Sequence, residues 1–64
     1  RRDEVDAVEC KWVPGAFDST ALKLFRSYYP KGRNYLVTPS GDPAYTMRYG
    51  NLKVRVCTPS GLHP

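Results

Sequence analysis

Glu9 and Lys11 place a carboxylate and an ammonium group two residues apart inside a largely apolar run, Val5-Asp6-Ala7-Val8-Glu9-Cys10-Lys11-Trp12. In an extended chain, residues i and i+2 project to the same face. A carboxylate and an ammonium group then stand side by side, about 6–7 Å apart along the strand. The carboxylate is a hard oxygen ligand of the kind magnesium takes. The lysine beside it can position a water or stabilise negative charge on a phosphate. The same pair also reads, more simply, as an in-strand ion pair. A metal site needs a second carboxylate, and Asp6 is the nearest. Alternation puts it on the face opposite Glu9, about 10 Å along the strand. Asp3 has the right parity but lies about 20 Å away if the chain is extended.

The elements around this pair follow from periodicity and punctuation. A first strand is expected over about Val5 to Val13, apolar on both faces from residue 7 onward, as in a central strand covered on two sides. Pro14-Gly15 ends it. Asp18 or Ser19 then caps a helix, with Phe17 and Leu22 at hydrophobic-staple spacing. Ala21, Leu22, Phe25, Tyr28 and Tyr29 form its apolar stripe, and Lys23, Arg26 and Ser27 its wet side. Pro30 stops the helix. Lys31 and Arg33 follow, where positive charge complements the helix dipole. A short apolar strand is expected over Asn34 to Thr38, giving a βαβ unit with parallel strands and a right-handed crossover. After the Pro39–Pro43 loop, Ala44–Tyr49 and Leu52–Cys57 flank Gly50-Asn51 as a hairpin. Lys53 and Arg55 alternate with Leu52, Val54 and Val56, so this last strand reads as half-buried and at an edge. The tail from Thr58 is irregular, and His63 in it receives no role. The expected fold is α/β, a small mixed sheet of three to four strands with one crossover helix. A single helix leaves the other sheet face exposed, or covered by something outside the chain.

Composition bounds the function. Sixty-four residues make one domain at most, near the lower size limit for a self-sufficient core. Beginning at Arg1 without methionine, the chain reads as a piece or remnant of a larger protein. No apolar run reaches the ~20 residues of a membrane span, and no signal peptide is legible. The net charge of +4 is compatible with nucleic-acid contact, although such an excess is more often just a solubilising surface. Cys10 and Cys57 have no Cys or His at metal-ligand spacing and are expected as reduced, buried thiols in the cytoplasm. Trp12 and the tyrosines are expected in the core.

Taken together, Glu4-Val5-Asp6-Ala7-Val8-Glu9-Cys10-Lys11-Trp12, then Phe17-Asp18 before a helix ending Phe25-Arg26-Ser27-Tyr28-Tyr29-Pro30-Lys31-Gly32, then Asn34-Tyr35-Leu36-Val37, resemble the PD-(D/E)xK superfamily. More narrowly, they resemble the restriction-endonuclease-like domain at the C-terminus of many prokaryotic AAA-type ATPases. The resemblance runs from Glu4 to about Val56 and covers the C-terminal half of that domain. It implies a truncated restriction-endonuclease-like core, with Glu9 as metal-ligating and catalytic acid, Lys11 as catalytic lysine and Asp6 as second metal ligand. Magnesium, or manganese in its place, would be the cofactor and DNA the partner. Lys11, Lys31 and Arg33, with Arg48 or Arg55, would contact the nucleic acid, and an ATPase domain would lie upstream. Asp6 and Glu9 stand closer together here than the family pattern has them. Two functional expectations follow. One is a nuclease-like, DNA-associated module, active or vestigial. The other is a non-catalytic interaction domain appended to an ATPase, with Glu9–Lys11 as a structural ion pair. A half-domain with one bare sheet face is also a candidate for homodimerisation.

Overall fold

The computed structural model describes residues 3–61. Arg1, Arg2 and residues 62–64, which include His63, lie outside them. Four strands, β1 (Ala7–Cys10), β2 (Asn34–Val37), β3 (Tyr45–Tyr49) and β4 (Leu52–Cys57), and one helix, α1 (Ser19–Tyr28), form a mixed α/β layer. Short 3-10 turns occur at Pro14–Ala16 and Pro59–Gly61. The second of these is an ordered turn within the stretch expected to be irregular.

The βαβ unit forms as the sequence predicts. β1 and β2 run parallel, pairing Ala7 with Asn34 and Glu9 with Leu36. The hairpin also forms, with Tyr49 opposite Leu52 across Gly50-Asn51. The lateral order differs from expectation. The sheet runs β1-β2-β4-β3, with β4 parallel to β2 and antiparallel to β3. β1 is therefore an edge strand, not a central one, and β4 is interior, not an edge. The reason is physical: alternation of apolar and polar residues reports which face of a strand is covered, and says nothing of which neighbours it pairs with. β1 is also shorter than the Val5–Val13 expected, although Val5 N–H donates to Lys31 O and Lys11 N–H to Val37 O beyond its ends.

Register fixes the two faces. Ala7, Leu36, Leu52, Val54 and Val56 share the face under α1. There Leu22, Leu36, Val54 and Val56 form the main core, with Ala7, Phe17, Tyr49 and Leu52 packed against it. The Phe17 and Tyr49 rings meet at 5.0 Å between centroids. The opposite face carries Val8, Cys10, Tyr35, Val37, Arg48, Lys53, Arg55 and Cys57. Its centre is a second small cluster of Tyr35, Val37 and Cys57. Gly41 folds against the end of β4, where a Cβ would stand 2.5 Å from the Cys57 carbonyl carbon. Only glycine lets the Pro39–Pro43 loop pass that close.

Asp18 is the N-cap of α1, its carboxylate accepting from Thr20 N–H at 2.9 Å. The expected helix stripe holds only at Leu22 and, in part, Phe25. Tyr28 and Tyr29 are exposed, and Arg26, expected on the wet side, is buried at 8% exposure. Trp12 is 83% exposed rather than in the core, and Cys10 is exposed whereas Cys57 is buried. Both misplaced groups belong to β1 or its end. One helix covers only one sheet face, and the even-numbered residues of this edge strand lie on the other.

Candidate functional site: a cationic sheet face

The sequence motif occupies the end of β1 on the α1 side. Glu9 and Lys11 share that face and form an ion pair, Nζ to Oε2 3.7 Å, each about two-fifths exposed. At that exposure such a pair contributes about 0.2–1 kcal/mol. Lys11 also lowers the Asp18 carboxyl, after the larger effect of the hydrogen bonds from Thr20. Asp6 does not join Glu9. It lies on extended backbone between residues hydrogen-bonded to the β2 segment, and its Oδ1 accepts the Arg33 amide at 2.9 Å. Among the described residues, no group of three or more His, Cys, Asp or Glu side chains comes together to hold a metal ion. Glu9, Lys11 and Asp6 thus make a salt bridge and a backbone latch. They present no converging set of oxygen ligands of the kind a hard cation takes.

Among the cations expected to contact nucleic acid, Lys11, Lys31 and Arg33 also part company. Lys11 is engaged by Glu9. Lys31 pairs with Asp3 at 2.9 Å, at the exposed edge. Arg33 alone reaches the face opposite α1. A hydrogen bond to Tyr35 holds its guanidinium further above its ordinary range, with Tyr35, Asp6 and Glu4 adding electrostatic support.

On that face Arg33 meets a group from the hairpin. Lys53 and Arg55 of β4 and Arg48 of β3 are all exposed, and cross-strand pairing sets Arg48 directly opposite Lys53. Like charges directly opposite each other destabilise a hairpin, so this pair is an arrangement that fold stability alone does not favour. Residues 43–64 contain no Asp or Glu to neutralise it. Arg33, Lys53 and Arg55, with Tyr35, line an open concavity of about 680 Å³ at the start of β2 and β4. The sequence assigns Lys53 no binding role and marks it only as the polar side of a half-buried strand. The available signal is the acid-free hairpin with its cations at Arg48, Lys53 and Arg55.

Arg26 is the scaffold beneath this concavity. Its Nε donates to Asn34 Oδ1 at 2.8 Å, Nη1 to Tyr29 O and Lys31 O at 2.9 Å each, and Nη2 to Arg33 O at 2.9 Å. Asn34 Nδ2 donates in turn to Lys53 O at 2.9 Å. Gly32 closes the same corner with φ 138°. A Cβ there would stand 2.1 Å from Val5 O, so both its backbone angle and its space require glycine. The guanidinium fork thereby ties the end of α1 to the starts of β2 and β4, and so positions Arg33, Lys53 and Arg55.

Set beside known protein families, curated proteins and solved structures, this chain matches none.

Proposed function

We propose that this chain is a non-catalytic DNA-binding module that holds the phosphate backbone on the sheet face opposite α1, with Glu9–Lys11 serving as a structural ion pair. The observation that carries the reading is the Arg48–Lys53 cross-strand pair on an acid-free hairpin, with Arg55 on the same hairpin and Arg33 just before β2. Three or four exposed cations on one flat face suit a run of phosphates, whose contacts position a duplex without reading its sequence. Arg55 and Arg33 add planar forks that match phosphate geometry. The engagement of Asp6 by the Arg33 amide supports the non-catalytic part of the reading, because it holds the second carboxylate away from Glu9.

Two assays on one preparation test it. Duplex DNA should be retained and should weaken steeply with salt, while plasmid incubated with magnesium or manganese should stay supercoiled. Metal-dependent nicking that disappears in Glu9→Ala and in Lys11→Ala would overturn the non-catalytic reading. Retention indifferent to salt would overturn the phosphate-binding one.

A further inference from the structure

The outer edge of β1 has no partner strand among the described residues, and we propose that it pairs antiparallel with β1 of a second copy of this chain, on a two-fold axis at Cys10. The backbone is set for it. Ala7 and Lys11 N–H groups turn inward to Arg33 O and Val37 O, so by alternation the N–H and C=O groups of Val8 and Cys10 face outward. A continuous edge of this kind, with apolar side chains and no proline within β1, is a template for another strand. Val8, Trp12 and Val13 are 50%, 83% and 59% exposed along or just beyond it.

Charge selects the occupant and the register. With the axis at Cys10, Glu9 lies directly opposite Lys11 of the second copy, and Lys11 opposite its Glu9. Val8 lies opposite Trp12 of the second copy. Moving the axis to Glu9 or to Lys11 sets like charges face to face, which is unfavourable. Moving it to Val8 leaves Glu9 opposite alanine. The strand is therefore self-complementary in one register. Both members of the Glu9–Lys11 pair are about two-fifths exposed and open to a second pairing. An axis perpendicular to the sheet keeps both α1 helices on one side and makes one eight-stranded sheet, with the two cationic faces continuous on the other. The pairing stands apart from the DNA reading, since it is assayed without nucleic acid.

Sedimentation of the 64-residue chain should show a dimer in the micromolar range. Glu9→Lys and Lys11→Glu should each weaken it by about tenfold or more. Mixing the two variants should restore it, because each then faces its opposite charge. On the unmodified chain, diamide, which takes up the two thiol hydrogens, should join two chains through Cys10. Residues directly opposite on hydrogen-bonded sites stand about 5.5 Å apart at Cα, within disulfide reach. Cys10→Ser should abolish the cross-link, while Cys57 is fully buried. A monomer at high micromolar concentration would overturn the proposal. So would a dimer indifferent to both reversals, or diamide treatment that yields no Cys10 cross-link.

Discussion

Arg26 is the residue on which the cationic corner depends most. Its five donors in a rigid fork suit the four acceptors it meets, three of them backbone carbonyls past the end of α1. Arg26→Ala removes one hydrogen bond from each acceptor, leaving Tyr29 O and Asn34 Oδ1 without this donor while Lys31 O and Arg33 O keep the N–H groups of Val5 and Ala7. At about 1 kcal/mol per lost hydrogen bond, the four together cost about 4 kcal/mol, a large share of the roughly 3–10 kcal/mol a chain of this size commands. Thermal unfolding should move down by more than about 10 °C. Arg26→Lys should recover only part of it, because a single ammonium cannot span the fork. A melting point within a few degrees of the unmodified chain for Arg26→Ala would contradict this role. The residue was illegible in the sequence for a clear reason. A helical wheel sends a cation toward water, and its acceptors are main-chain oxygens that no side-chain pattern marks.

At the scale of elements, local signals read well and lateral ones did not. The helix cap at Asp18, the stop at Pro30, the Gly50-Asn51 hairpin and the parallel βαβ pair all follow from short-range chemistry, and all are present. The edge position of β1 and the interior position of β4 depend on which distant strand pairs with which, and alternation carries no such information. The Glu9–Lys11 pairing was legible, being two residues apart on one strand. The cationic face was only half legible, because it joins β3, β4 and the residue before β2. The cap gives this scale its own prediction. The hydrogen bonds from Thr20 hold the Asp18 carboxyl below its ordinary value of 3.8. A carboxyl lowered on folding stabilises the fold above its unfolded value, and that contribution fades as pH falls below about 3.8 through the lower folded value. Asp18→Asn keeps an acceptor for Thr20 N–H and should flatten this acid limb of the stability profile while changing little near neutrality. Asp18→Ala should lose stability at neutral pH as well. An unchanged acid limb in Asp18→Asn would place the titrating group elsewhere.

For the whole molecule, one helix on a four-stranded sheet divides the labour between faces. The covered face holds the main core and the Glu9–Lys11 pair. The other carries a small cluster of Tyr35, Val37 and Cys57, with Arg33, Arg48, Lys53 and Arg55 toward the starts of β2 and β4. Among the described residues, no helix is long and apolar enough to cross a membrane. The proposed function turns on whether that cationic face binds DNA through phosphates. The most direct measurement is duplex-DNA affinity as a function of salt, for the unmodified chain and for Lys53→Ala/Arg55→Ala, with circular dichroism confirming that both are folded. Three phosphate contacts from Arg48, Lys53 and Arg55 give a slope of log affinity against log salt of about −2.7, and loss of two of them brings it to about −0.9. An unmodified slope near zero, or a slope that the double substitution leaves in place, would contradict the account.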